Sequence, residues 1–240
     1  MNPAIETYYD AVPRSAARTE EIGPFTLFVG TGAWPYYARP RLGVTHDFTV
    51  AEIEAVRARQ RELGVPEAFE WVHETTPSLL PAARAAGLEV MEAPLMVLGG
   101  AVPATVPEGV TVRMIDADDP ALAPAVAAQD RGFGGTGEGV EGRVAFMRER
   151  LRAGVTRFAL AESPEGVLCV GQHQPVGDVT EIVGVATVPE ARRRGLAGAV
   201  TAALVQDAAA PIVFLSAGTD AARVYARLGF ERQGTACIVG

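Results

Sequence analysis

The segment Thr180–Gly198, TEIVGVATVPEARRRGLAG, constrains this chain more than any other. Its β-branched apolar run stops at Pro189, which removes a backbone donor and cannot continue a ladder. Arg192, Arg193, Arg194 and Gly195 follow, and then an Ala/Val/Leu-rich stretch of helical character runs to about Ala209. Strand, turn, helix is the order this dictates. The first turn of a helix leaves N–H groups without intrahelical partners and carries the positive end of the dipole, which together suit a phosphate. Gly195, Ala197 and Gly198 are small enough to let an anion reach that backbone. The pattern is that of a pyrophosphate-binding turn. It is not a Walker loop, since no Gly-Lys-Ser/Thr occurs, and the strand does not enter a G-x-G-x-x-G turn.

The arginines stand in an acidic protein. With a formal net charge of -8 the chain lacks the basic surface that nucleic acid requires, so the cluster reads as a local site for a small polyanion. All 21 basic residues are arginine, which excludes a lysine Schiff base, a lysine general base and a Walker lysine. Cys169 and Cys237 lie in apolar strand-like runs and read as buried free thiols of a reducing cytosol rather than a disulfide. The N-terminus has no cationic-then-apolar signal pattern, and no apolar run approaches the length of a membrane span. The expectation is a soluble, cytoplasmic protein, monomer or homodimer, without nucleic-acid or membrane partners.

At 240 residues the chain is long enough for one large domain or two small ones, each with a proper core. The Gly-, Pro- and Ala-rich stretch Gly99–Gly109 marks a linker or an extended crossing strand, which sets residues 1–100 apart from 110–240 with 101–109 between them. Downstream, the patterns predict a strand at Val110–Ile115, helices at Pro120–Gln129 and Val140–Ala153, and a hairpin from Arg157–Glu162 and Val167–Gln174. The signature strand and its helix, a buried strand Ile212–Ser216, a helix bearing Tyr225 and a last strand Glu231–Val239 complete the order.

The turn Arg192-Arg193-Arg194-Gly195-Leu196-Ala197 resembles the coenzyme A-binding motif of the GNAT superfamily of N-acetyltransferases, Arg/Gln-x-x-Gly-x-Gly/Ala, with the family's usual strand and "V-P" before it. At the right distance downstream, Ala221–Phe230 resembles the family's A-x-x-x-Y-x-x-x-G-F helix and turn. The resemblance implies an α/β (α+β) chain with the acyl-CoA N-acyltransferase fold, a mixed central sheet flanked by helices. Residues 110–240 would be the catalytic domain. Phe69–Leu98 is a faint copy of the Val213–Val239 ending, with Gly87 opposite Gly229, Leu88 opposite Phe230 and Ala83 opposite Tyr225. That half has no Arg-x-x-Gly after a strand, and Phe48–Gly64 is a helix with a charged face and no small residues at its start. Residues 1–100 therefore read as a degenerate tandem copy without a cofactor site.

By the same resemblance the cosubstrate is acetyl-CoA, held without a metal. Backbone groups of Ala186, Thr187 and Val188 would line its thioester and pantetheine arm. Arg193, Arg194, Gly195, Leu196, Ala197 and Gly198 would bind the pyrophosphate, the arginines adding charge-assisted contacts. Tyr225 is the candidate acid for the departing thiolate, its alternative being a core ring with a surface hydroxyl. Glu181 is the candidate base for the amine, acting through a water as in several family members; the alternative is a solvent-facing strand residue. His173, on the preceding strand, is a second candidate base or simply a hydrogen-bonded strand histidine. One position departs from the family: where many members carry a cofactor-contacting asparagine, this chain has Gly218, and Asp220 reads as the cap of the Tyr225 helix.

The string Gly132–Gly137 fits G-x-G-x-x-G but falls between helices, so it reads as a flexible loop, Arg131–Gly142, bordering the acceptor site rather than a dinucleotide turn. No nucleophile elbow occurs, and His46, His73, His173 and the two cysteines show no metal-ligand spacing. The predicted reaction is direct transfer of acetyl to a primary amine, on a small molecule or a peptide, in a ternary complex. The rivals are a non-catalytic acyl-CoA sensor and a transferase with a longer acyl donor. Trp34, Tyr36, Tyr37 and Trp71 are candidates to wall an acceptor pocket, with core packing as the alternative.

Overall fold

The computed structural model describes residues 2–32, 35–100 and 105–240; Trp34 and the first half of the 101–109 stretch lie outside them. In chain order the elements are α1 (Pro3–Arg14), β1 (Ala17–Ile22), β2 (Phe25–Gly30), β3 (Ala38–Pro40), α2 (Val50–Leu63), β4 (Phe69–Val72), α3 (Leu79–Ala85) and β5 (Met91–Leu98). There follow β6 (Thr111–Ile115), α4 (Leu122–Gly132), α5 (Glu141–Arg152), β7 (Arg157–Ser163), β8 (Gly166–Val176) and β9 (Val179–Thr187). A single 3-10 turn, Pro189–Ala191, precedes α6 (Leu196–Asp207), β10 (Ile212–Ser216), α7 (Thr219–Arg227) and β11 (Phe230–Val239). The chain divides into two units: Met1–Met96 with Ser216–Thr219 and Arg232–Gly240, and Val97–Leu215 with Asp220–Glu231.

In the first unit the strands run β1-β2-β3-β4-β11-β5. β3 and β4 are parallel at Ala38↔Phe69, whereas β4 and β11 are antiparallel from Phe69↔Val239 to Val72↔Ala236. The last strand, which the sequence places with the downstream half, is thus built into the upstream unit. Alternation along β2 sends Phe25, Leu27 and Val29 into one core with Ile53, Val56, Phe69, Trp71, Leu79 and Cys237. Trp71 is therefore core, and Tyr36 and Tyr37 stack edge-on at 6.2 Å. α2 begins in a full capping box: Glu52 N–H donates to the Thr49 hydroxyl at 3.4 Å, and Thr49 N–H donates to the Glu52 carboxylate at 2.9 Å. Gly64, at φ 65, ends it.

Ala38 faces that core, so its neighbour Arg39 faces the other side of the sheet. Only 2% exposed, Arg39 donates to Glu6 of α1 at 2.6 Å and lies 5.0 Å from the Tyr9 ring centroid. Glu70 lies on the same face. Burial pushes its carboxyl up to about 7, against the opposing pull of Arg39 and a hydrogen bond from Tyr37.

In the second unit the strands run β10-β9-β8-β7-β6, antiparallel except for the parallel pair β9–β10. α4 and α6 pack on opposite faces of this sheet, and glycines set both approaches. A Cβ on Gly132 of α4 would lie 2.7 Å from Ala186 Cβ. A Cβ on Gly171 of β8 would lie 3.0 Å from Leu204 and 3.1 Å from Val200, both of α6. The predicted loop Arg131–Gly142 is organised rather than loose. Its hub is Asp130, whose carboxylate accepts from Gly137 N–H and Arg143, both at 2.7 Å. A Cβ on Gly135 would collide with that carboxylate, which explains the glycine there.

Candidate active site

Three irregularities of β9 build the site. The first is a fork. β9 and β10 pair from Val179↔Ile212 only as far as Glu181↔Phe214, and beyond that point the β10 edge of β9 is open. The second is a bulge: Val170 pairs with Ala186 and Gln172 with Val183, so one β8 residue, Gly171, spans two of β9, Gly184 and Val185. Gly184 takes φ 63, a left-handed conformation that suits glycine. The third is the exit. Val188 N–H donates to Leu168 at 3.0 Å, which sets the phase of the ladder. Ala186 and Val188 then bond towards β8, and the backbone N–H and C=O of Thr187 face the fork.

That phase sorts the three strand residues named from sequence. Thr187 offers its N–H to the open edge, while its carbonyl accepts from Arg192 Nε at 3.4 Å. Val188 does not: its N–H is taken by Leu168 and its carbonyl accepts from Ala191 at 3.0 Å. Ala186 contributes its small side chain, packed against Gly132.

After the 3-10 turn the chain passes Arg192 in an extended conformation, Arg193 at φ 64 and Gly195 at φ 81 before α6 begins. A left-handed arginine costs of order 1–3 kcal/mol unless the surroundings fix it. Two struts do so. Arg192 donates to Gly132 O at 2.9 Å, and Arg131 pairs with Glu190, tying the turn to the end of α4. Arg192 is thus a brace, although it is exposed like Arg193, Arg194 and Gly195. Gly195 is the N-cap residue of α6 and has no side chain to satisfy the first turn. The first helical bond comes only at Ala199 N–H to Gly195 O, 3.1 Å, so Leu196, Ala197 and Gly198 present their N–H groups forward. A Cβ on Gly195 would meet nothing within 4 Å, so the mouth of this turn is open. In α2, by contrast, the N-cap side chain of Thr49 accepts from Glu52 N–H.

Tyr225 reaches the exit from α7. It is 8% exposed, packs edge-on against Phe230 at 6.1 Å, and is pushed up to about 12 by burial and the neighbouring Cys169 thiol. Burial likewise holds Cys169 up at about 11, and Thr187 Oγ1 donates to its sulfur at 3.2 Å. Tyr225, Cys169 and Thr187 therefore converge at the exit of β9, all protonated at neutral pH.

Glu181 stands at the fork, 9% exposed. It is directly opposite Gln174, on the face that also carries Gln172 and Gln129. Gln129 of α4 donates to Gly184 O at 2.8 Å, and Gln172 donates to Gln129 at 3.3 Å. His173 lies on the other face. Its Nδ1 meets Thr180 Oγ1 at 2.9 Å and its Nε2 meets Asp207 of α6 at 3.0 Å, while Asp207 also takes Arg157 at 2.9 Å. Burial lowers its pKa. Both His173 nitrogens are thus engaged on the face opposite Glu181. Asp220 sits in the first turn of α7 rather than before it. The bulge, the fork and the glutamine pair escaped the sequence; the lone Gly184 in a β-branched run was the available signal.

A family model described as FR47-like protein matches residues 173–239. No curated protein matches the chain in sequence. Among solved structures, a GCN5-related N-acetyltransferase from Kribbella flavida aligns over 100% of this chain and 95% of its own, with TM-score 0.76 and 21% identity. A functionally unknown conserved protein from Staphylococcus epidermidis aligns over 97% and 96%, with TM-score 0.63 and 14% identity. A tandem GNAT protein from the clavulanic acid biosynthesis pathway aligns over 90% and 78%, with TM-score 0.60 and 17% identity. The fold is that of the acyl-CoA N-acyltransferases. The FR47-like match covers the signature strand, turn and helix, and the whole chain shares its fold with these GNAT proteins.

Proposed function

We propose that this protein transfers an acetyl group from acetyl-CoA to a primary amine in a ternary complex. The observation that carries the reading is the open, uncapped start of α6, reached through the left-handed Arg193 and Gly195 from a forked and bulged strand. Forward-facing N–H groups at a positive dipole end, with Arg193 and Arg194 beside them, match a pyrophosphate. Thr187 lines the path from that turn to the fork with its backbone, and Ala186 keeps the path narrow against Gly132.

In this reading the amine nitrogen attacks the thioester carbon, the C–N bond forms and the C–S bond breaks. Glu181, at the fork, takes the proton that the amine loses, through a water. Tyr225, at the exit, gives its hydroxyl proton to the leaving sulfur. The phenol's high pKa keeps that proton available across the neutral range, and solvent returns the proton from Glu181 to Tyr225. Amine and thioester become amide and thiol, with no covalent bond to the enzyme. The first unit is a degenerate copy: the corresponding helix, α2, ties its Glu52 N–H into its own capping box.

The test is calorimetric titration with acetyl-CoA, CoA and NADH, with the Gly195→Trp variant as control. Binding of both CoA species and not NADH, lost in the variant, is the expected result. Absence of CoA binding in the wild type refutes the reading. CoA binding without thiol release against any of a broad panel of amines would turn the protein into an acyl-CoA sensor.

A further inference from the structure

Gln129 belongs to α4, outside every motif that identifies the chain, yet it bonds a backbone carbonyl inside the β9 bulge. Its Nε2 donates to Gly184 O at 2.8 Å, and Gln172 Nε2 donates to Gln129 Oε1 at 3.3 Å, which fixes the amide the right way round. The fit is tight on the other side as well. A Cβ on Gly184 would lie 2.6 Å from Gln129 Nε2 and 3.2 Å from Gln172 Nε2. Gly184 is therefore held in its left-handed conformation by a side-chain amide from another element, and two residues of the sequence, Gly184 and Gln129, are matched to each other.

We infer that Gln129 is a positioning residue for acyl transfer: by holding Gly184 O it sets the bulge that directs the backbone of Val185–Thr187 towards the thioester. The inference rests on the transferase reading above. A strand peptide is a rigid plane, so anchoring its carbonyl at one end fixes the direction of the next N–H. Without the anchor, the extra residue is free to relax, and the donors that should meet the developing oxyanion lose their alignment. The pyrophosphate turn, held by Arg192 and Arg131, is braced independently and does not depend on this amide.

The experiment uses the full chain with Gln129→Met, which keeps the length and removes the donor, and Gln129→Glu, which keeps the shape and opposes Gly184 O with an acceptor. The readouts are Kd for CoA, Kd for acetyl-CoA, and kcat for thiol release with an amine acceptor found by screening. The expected result is a CoA Kd within twofold of wild type, a loss of roughly tenfold in the preference for acetyl-CoA over CoA, as for one hydrogen bond, and a fall in kcat larger than any change in KM for the amine. Because CoA binding reports the intact turn, it separates misplacement of the bulge from misfolding. Retention of wild-type preference and kcat in a variant that binds CoA overturns the inference and leaves the transferase reading standing. Failure of the wild type to bind CoA removes both.

Discussion

Replacing Glu70 by glutamine should make the protein more stable at alkaline pH and flatten part of its pH dependence. Glu70 is on the sheet face that also buries Arg39, and burial raises its carboxyl from the ordinary 4.5 to about 7. Between those values the folded chain binds a proton that the unfolded chain has released. Stability from this group is therefore fully present below pH 4.5 and falls as the pH rises towards 7. At about 1.4 kcal/mol per pH unit, that window amounts to about 3.5 kcal/mol at most. Glutamine keeps the acceptor for Tyr37 and has no proton to lose. Arg39 keeps its partner Glu6 in either protein. Urea denaturation of both proteins at pH 5 and pH 8 is the assay. The Glu70→Gln variant should lose less stability between the two pH values, by about 1–3 kcal/mol, with the other titrating groups cancelling in the difference. If both proteins change in parallel, or if the variant is the less stable one at pH 8, the buried carboxyl is not the proton-binding group and the argument fails.

Two further outcomes are expected. Tyr225→Phe removes a hydroxyl that has no hydrogen-bond partner among the described residues, so melting temperature and Kd for acetyl-CoA should hold while kcat drops about 10²–10⁴-fold, the usual worth of a general acid; unchanged turnover would remove Tyr225 from the chemistry. His173 shows the opposite pH sign from Glu70. Its folded pKa lies below 6.5, so its contribution is present above that value and lost as the pH falls. Acid denaturation of a His173→Gln variant should begin from a less stable protein at pH 7.5 yet show a shallower slope down to pH 5, and a slope as steep as wild type would count against this account.

What the sequence disclosed was local, and what it withheld was long-range. Pro189 ends a strand and Gly195 opens a helix wherever they stand, so β9, the turn and α6 were legible almost to the residue. The glycine pattern likewise marked the end of the Tyr225 helix at Gly229, which takes φ 89. The faces of β8 and β9 were not legible, because a one-residue change of register reverses every side chain. That is why His173 was a candidate for a cleft it turns away from. The Gly184–Gln129 contact joins residues 55 positions apart, and no periodicity carries it. Arg192 illustrates the same limit: within three adjacent, equally exposed arginines, nothing local shows which one is tied to Gly132 O.

The pairing of β11 with β4 also bears on how the chain is made. Thr235 N–H meets the Glu74 carboxylate, two residues 161 positions apart. At roughly 5–20 residues per second, the ribosome needs on the order of 8–30 s to deliver the one after the other. Until then β4 has a bare edge where Ala236–Val239 will lie, and Cys237 is missing from the core that holds Trp71 and Phe69. The second unit, by contrast, is complete once Glu231 has been made. The sheet that ends in β4 therefore waits open until Ala236–Val239 have been made, exposed to wrong partners. The half of the chain that is made first is the half that is finished last.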